Sequence, residues 1–292
     1  MIWEEMEISM HLPKEEEILF QHYRDLIQMS YQRGIPAYSN FAGFRDMELG
    51  FLALEDFYGR NQFYENIHYR LYGGYGEAER KVFCFLGGDG SDGILSGEVL
   101  AGQDLSGMEP SMDFPIACIH IAPANKRFCE PLSHRDYLGT VMGLGLTRDQ
   151  IGDILVEREE SPSSCSCYLF CKRDKAELVS GLTRIRHTTV KAESVDFSRS
   201  GWRPSFRDIA GSVSSFRLDA LLALAVKVSR SQGLALVQGG NVTLNGRCCT
   251  ENAKKLQEGD VFSVRGYGKF IFEKTASLSK KGRYRITLKQ YI

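Results

Sequence analysis

Two arginines, Arg217 and Arg230, have the type and position that most clearly predict chemistry in this sequence. Each lies at the start of a predicted helix, because an apolar run follows Arg217-Leu218-Asp219 and a second one follows Ser229-Arg230. A guanidinium group can hold a phosphate with two parallel hydrogen bonds, and the free amides of a helix start add donors. The pattern predicts two phosphate-binding arginines, with Ser229 as the cap of the second helix.

Basic residues are concentrated in the last third of the chain. Residues 201–292 contain 16 Lys and Arg against 6 Asp and Glu, a balance of +10, whereas the remaining residues carry 20 against 31, or −11. A basic segment on an acidic body predicts that a polyanion binds at one end only. Further phosphate contacts are predicted at Arg247, Lys254, Lys255, Arg265 and Lys269. Two alternatives stay open, a salt bridge from Arg217 to Asp219 and a solvated surface charge at Arg230.

The only cysteine cluster does not have the spacing of a metal site. Cys165, Cys167 and Cys171 alternate along a predicted strand, which places all three on one face. Zinc sites usually combine Cys-x2-Cys pairs on turns, and no second pair of that kind occurs. This pattern favours core packing, and we predict no bound metal and no cofactor.

The triplet His134-Arg135-Asp136 is similar to a kinase catalytic loop, but the other kinase motifs do not occur in order. The start of a helix explains it better, with Ser133 as the cap and Asp136 as the partner of that cap. Contact of His134 and Arg135 with RNA stays open. No other arrangement of nucleophile and base stands out, so we predict no catalytic residues and no enzyme.

The elements that must position these residues form an α+β protein. Residues 1–80 show two amphipathic helix patterns and are predicted to be a helical N-terminal domain. Residues 81–200 follow a β-α-β-β-α-β order, which predicts a ferredoxin-like sandwich similar to an RNA-recognition domain. Residues 201–213 are rich in Gly, Pro and Ser and are predicted to be a linker, and residues 214–292 form the basic C-terminal domain.

The C-terminal segment resembles the S4 RNA-binding domain. The resemblance begins at Arg217-Leu218-Asp219, continues through Ser229-Arg230 and ends at residues 240–246, whose sequence is Gly-Asn-Val-Thr-Leu-Asn-Gly. The spacing is intact over about 30 residues. This resemblance implies a small module that grips the backbone of folded RNA.

Three further blocks resemble the YlmH family of S4-domain proteins. They are Gly73-Gly74-Tyr75 with residues 78–80, residues 134–154, and residues 263–270. The resemblance implies a cytoplasmic, ribosome-associated protein that binds ribosomal RNA and tRNA on large ribosomal subunits obstructed by peptidyl-tRNA. A connection to cell division is also associated with the family.

The alternative function is a protein-interaction adaptor for a cell-division partner, in which RNA binding is incidental. No stretch of about 18 apolar residues occurs, so no membrane segment is predicted. The N-terminus does not have the pattern of a signal peptide.

Overall fold

The computed structural model describes residues 12–60, 67–87, 113–157, 165–278 and 282–291. The chain divides into two compact units, and the division falls between Ser194 and Val195. The observed class is α+β, as predicted. Among the described residues no single helix is long and apolar enough to cross a membrane, and the one helix pair that reaches that length together is bent by 113°.

The first unit contains two sheets. Its helices are α1 (Lys14–Arg33), α2 (Phe44–Arg60), α3 (His134–Met142) and α4 (Ala176–Ser180). Its strands are β1 (Ala37–Ala42), β2 (Ile67–Tyr72), β3 (Lys81–Gly87), β4 (Ile116–Pro123), β5 (Ile151–Val156), β6 (Cys167–Lys172), β7 (Arg184–Ile185) and β8 (Thr188–Val195). β1, β3 and β2 form one sheet in that order, and the other five form the second.

The N-terminal region has the two predicted helices, but it is not only helical. Helices α1 and α2 pack with the three-stranded sheet around a core that includes Tyr23, Phe83 and Phe85. The strand that was predicted to open the middle domain at residue 81 is β3, and it pairs with β1 and β2 instead. Strand β1 is not evident from the sequence, because polar Ser39 interrupts its apolar pattern. In the structure the Ser39 hydroxyl is buried and accepts a hydrogen bond from the Phe83 amide at 2.9 Å.

The second sheet has the strand order β5-β6-β4-β8-β7. This is the order of a ferredoxin-like split β-α-β unit with a short hairpin strand added, as the β-α-β-β-α-β pattern predicts. Cys165, Cys167 and Cys171 lie in the core between this sheet and its helices, which confirms core packing. Burial raises the pKa of the Cys171 thiol to about 12. No metal-binding cluster of His, Cys, Asp or Glu occurs within the part of the chain that is described.

Asp153 joins the two sheets of the first unit. Its carboxylate accepts hydrogen bonds from the Tyr75 hydroxyl at 2.8 Å, the Glu79 amide at 2.7 Å and the Arg80 amide at 3.1 Å. The Arg80 guanidinium extends the joint by donating to the carbonyls of Phe41, Arg148 and Ile151. Two of the sequence blocks that resemble the YlmH family, residues 73–80 and 134–154, therefore meet at this joint.

The second unit is one six-stranded antiparallel sheet with two helices. Its elements are β9 (Phe206–Val213), α5 (Leu218–Ala225), α6 (Arg230–Gln238), β10 (Val242–Leu244), β11 (Arg247–Cys248), β12 (Val261–Val264), β13 (Gly268–Leu278) and β14 (Tyr284–Tyr291). The strand order is β11-β10-β12-β13-β14-β9. The apolar faces of α5 and the sheet share a core that includes Leu218, Leu222, Phe262 and Leu288.

The predicted linker at residues 201–213 is wrong for most of its length. Residues 206–213 are strand β9, which pairs with β14 from Phe206–Tyr291 to Val213–Tyr284. The glycine that suggested a linker has a packing role, because a Cβ on Gly211 would lie 2.3 Å from the Leu224 side chain. Gly211 is therefore needed where α5 packs against β9.

Candidate nucleic-acid interface

Helix α5 begins at Leu218. Arg217 is the N-cap residue and has extended backbone angles. The Arg217 backbone forms an isolated antiparallel bridge with Lys255, and the Leu218 amide donates to the Lys254 carbonyl at 2.8 Å. The exposed residues Lys254 and Lys255 are thus held beside the start of α5.

Helix α6 starts where the sequence predicts. Ser229 is its N-cap and forms a capping box with Gln232, in which the serine hydroxyl accepts from the Gln232 amide and the glutamine side chain accepts from the Ser229 amide. By helix geometry the amides of Arg230 and Ser231 have no acceptor inside the helix. The start of α6 therefore offers two backbone donors and the positive end of a helix dipole.

Asp219 brings the two predicted arginines together. Its buried carboxylate accepts from Arg217 Nε and Nη2, both at 3.1 Å, and lies 3.5 Å from Arg230 Nη2. The Asp219 side chain is 9% exposed, whereas those of Arg217 and Arg230 are 36% and 59% exposed. The open alternative for Arg217, a salt bridge to Asp219, is thus present, and the same contact directs both guanidinium groups to one place.

A close approach of α6 to α5 makes this arrangement possible. The two helices meet at 113°. A Cβ on Gly233, in the first turn of α6, would lie 3.3 Å from both the Asp219 carbonyl oxygen and the Leu222 side chain. A glycine at this position lets the start of α6 lie against α5, which keeps Arg230 within reach of Asp219.

Arg265 lies near the other end of α6, and Lys269 lies on strand β13 opposite Ser263. The Arg265 amide donates to the Asn241 carbonyl at 2.9 Å, just beyond the end of that helix, which is about 13 Å long by its residue count. Lys269 lies over the Tyr291 ring, with 4.7 Å from Nζ to the ring centre. These two residues are separate from the cluster around Asp219, and they would extend the interface only for a ligand that follows the length of the helix.

Arg247 lies in β11, and its side chain is outside the described residues. The turn before it is the tight hairpin that Asn245-Gly246 predicts, with φ angles of 50° and 80°. The Asn245 side chain donates to Asp260 and accepts from the Val261 amide, so its role is structural.

Lys227 is a basic residue that the sequence reasoning did not single out. It lies between α5 and α6, two residues before Ser229, and is exposed. Its φ angle of 55° is in the left-handed region, where a helix normally ends on glycine. A strained lysine beside a cluster of cations is a candidate phosphate contact. The sequence signal was weak, because lysine is common after a helix.

Sequence comparisons agree with this organisation. Residues 110–199 match a family profile described as "Putative RNA-binding domain in YlmH", and residues 216–262 match the S4 domain. A curated relative from Bacillus subtilis (strain 168), "Ribosome-associated protein quality control protein P2", is 30% identical over 220 residues, which are 75% of this chain and 76% of the relative.

A solved structure is also similar to part of the chain. It is titled "Cell division protein ylmH from Streptococcus pneumoniae", is 23% identical, and covers 65% of this chain and 97% of its own with a TM-score of 0.42. The family assignment rests on the Bacillus relative and on the two matched domains, whose order is the same as in the sequence motifs. This chain therefore belongs to the YlmH family of S4-domain proteins.

Proposed function

We propose that this protein is a non-enzymatic ribosome quality-control factor that binds ribosomal RNA and tRNA on obstructed large ribosomal subunits. The observation that carries the proposal is the convergence of Arg217 and Arg230 on Asp219. The name of the Bacillus relative supports the ribosomal partner, which in turn implies a cytoplasmic protein. Peptidyl-tRNA on a large subunit is the ligand that would present both kinds of RNA at once.

The Asp219 carboxylate gives the two guanidinium groups a fixed position before RNA arrives. Fixing long side chains in advance lowers the entropy cost of binding. Each guanidinium keeps exposed N–H groups that can donate to a phosphate, and the start of α6 adds the amides of Arg230 and Ser231. Ser229 keeps a positioning role, because its hydroxyl is already bonded in the cap. Lys254 and Lys255 would contribute charge at the edge of the same surface.

The test is sucrose-gradient sedimentation together with RNA affinity measured over a range of salt concentrations. We expect Arg217→Ala and Arg230→Ala each to cost roughly 1–3 kcal/mol of binding free energy and to lower the slope of affinity against salt. Arg285→Ala is the matched control. Arg285 is exposed on β14, and alternation places it on the sheet face opposite the core residues Ile286 and Leu288.

Asp219→Asn separates positioning from charge. If net charge alone governs binding, removing a carboxylate tightens RNA binding. If the carboxylate positions the two arginines, the variant binds RNA more weakly, and this second result is expected. Unchanged affinity in both arginine variants would refute the site. Recovery of the protein only in free fractions with a protein partner would favour the adaptor function instead.

A further inference from the structure

Phe128 is the most exposed large apolar side chain in the described part of the protein, at 80%. It ends a short 3₁₀ turn, Lys126–Phe128, between β4 and α3 of the ferredoxin-like sheet. The other Phe and Tyr side chains of this unit whose burial is described are buried or half-buried. A phenylalanine that projects into solvent from a turn is a typical anchor for a partner with a flat apolar face.

The turn that carries Phe128 is held in place on both sides. The Ala124 amide donates to the Thr189 carbonyl at 2.9 Å, which ties the start of the turn to β8. On the other side the Glu130 amide donates to the Thr188 hydroxyl at 3.2 Å, and Glu130 Oε1 accepts from the His187 amide at 2.9 Å. Phe128 is therefore presented by a fixed loop next to the β7–β8 hairpin.

Basic side chains surround this loop in a unit that is acidic as a whole. The exposed cations of the turn, the start of α3 and the β7–β8 hairpin are Arg127, Arg135, Arg184 and Arg186, with His187 beside them. Arg186 neutralises the local acids, since it lies 3.2 Å from Asp136 and 3.9 Å from Glu130. Arg127 and Arg135 form no ion pair with any residue in the described ranges, so their charges remain available.

The hairpin tip has a backbone strain that its sequence does not relieve. Arg186 has a φ angle of 51°, at a two-residue turn position where asparagine or glycine is favoured. Residues held in the left-handed region cluster at functional sites, where the surrounding structure maintains the strain. The strain at Arg186 thus agrees with a binding role for the basic residues at the tip of the β7–β8 hairpin.

The sheet face that RNA-recognition folds use for stacking is already occupied along β5 and β6. Phe170 stacks on Tyr75, with 5.1 Å between ring centres, and Lys172 Nζ donates to the Ser39 carbonyl at 2.9 Å. A Cβ on Gly152 would lie 2.7 Å from the Phe41 ring. Because these contacts cover the outer face at Gly152, Phe170 and Lys172, RNA bases cannot stack at those positions, whereas Phe128 is open to solvent on its loop.

We propose that the turn that carries Phe128, the start of α3 and the β7–β8 hairpin form a second RNA-binding surface. On this surface Phe128 stacks against an unpaired base, while Arg127, Arg135 and Arg184 bind the flanking phosphates. Aromatic stacking combined with arginines is the usual chemistry of single-stranded RNA recognition. The surface extends the proposed RNA binding but uses none of the residues around Asp219. It also accounts for Arg135, whose contact with RNA the sequence left open.

The experiment uses the full chain with Phe128→Trp and a short single-stranded oligoadenylate. Stacking of a base on the new indole is expected to quench its fluorescence well beyond any change in the wild-type chain, which has two tryptophans of its own. An RNA duplex of equal length should leave this signal unchanged, because its bases are already stacked. Absence of quenching under conditions in which anisotropy reports bound oligoadenylate would overturn the proposal.

Affinity measurements separate this surface from the S4 surface. With Arg230→Glu in the background, Phe128→Ala is expected to weaken oligoadenylate binding roughly 5- to 100-fold, whereas Phe128→Tyr retains it. Leu178→Ala is the matched control, since Leu178 is also exposed, at 45%, on α4 of the same domain. Equal loss in the control would refute the stacking role. If quenching is observed but Arg217→Ala and Arg230→Ala leave ribosome binding unchanged, only the proposed function is refuted. If those variants weaken ribosome binding but no quenching is observed, only this second surface is refuted.

Discussion

Lys227 is a residue at which RNA binding and stability are expected to have opposite requirements. It adopts φ 55° at the end of α5, and the amide of Val228 closes the helix by donating to the Ala223 carbonyl at 3.2 Å. A left-handed conformation costs a non-glycine residue about 1–2 kcal/mol. Glycine would fit this backbone without that strain, whereas the lysine supplies a positive charge next to the start of α6.

Lys227→Gly is therefore expected to act in opposite directions on the two properties. The free energy of unfolding should stay the same or rise by up to about 1 kcal/mol, because relief of strain exceeds the added flexibility of the unfolded chain. RNA affinity should fall, and the slope of log affinity against log salt concentration should decrease in magnitude by about 1. Urea denaturation and salt titrations measure the two effects. Lys227→Asn is the control that removes the charge but tolerates the conformation, and a destabilised glycine variant would contradict the strain argument.

At the scale of the element, the joint between the two sheets of the first unit depends on one carboxylate. Asp153 lies in β5, whereas its three donors lie between β2 and β3, more than 70 residues earlier. The Arg80 guanidinium beside it is largely surrounded by backbone carbonyls, and burial lowers its pKa. An element-to-element contact of this kind couples the stability of the N-terminal sheet to that of the ferredoxin-like sheet.

We expect Asp153→Ala to lower the free energy of unfolding by roughly 2–4 kcal/mol, because it leaves two amides and a hydroxyl without their acceptor. Asp153→Asn should cost less, since an amide oxygen can still accept. Asp174→Ala is the control, because Asp174 is exposed and forms a surface ion pair with Lys175 at 2.8 Å. Urea denaturation of the full chain measures these effects, and an Asp153→Ala variant as stable as the control would disprove the role of the joint.

At the scale of the whole molecule, the structure moves the start of the C-terminal unit. The sequence predicted a domain at residues 214–292, but β9 precedes that boundary and covers the edge of β14. Val213 is 4% exposed and belongs to the core of the second unit. The division between the units falls between Ser194 and Val195.

A fragment of residues 195–292 is expected to unfold cooperatively and to keep the S4-type RNA binding. A fragment of residues 214–292 lacks β9, so it exposes the backbone groups of β14 and part of the core. We expect this shorter fragment to aggregate or to melt at a lower temperature in thermal denaturation followed by circular dichroism. Equal melting temperatures for the two fragments would show that β9 is the linker that the sequence suggested.

The sequence by itself determined the features that depend on neighbours along the chain. The capping boxes at Ser133 and Ser229, the hairpin turn at Asn245-Gly246 and the alternation of buried cysteines all lie within a few residues. These local patterns, together with the S4 and YlmH blocks, were sufficient for the α+β class and the family. They also predict Arg217 and Arg230 as the central pair of the proposed RNA-binding site.

Only the tertiary structure decided which distant residues meet. Periodicity cannot show that β9 pairs with β14, or that β3 belongs to the N-terminal sheet, because strand pairing depends on partners far away in sequence. Nor can it show that Asp219 holds Arg230, or that Phe128 remains uncovered beside the β7–β8 hairpin. Burial is a property of the packed chain, so the positioned guanidinium pair and the exposed aromatic ring become visible only after folding.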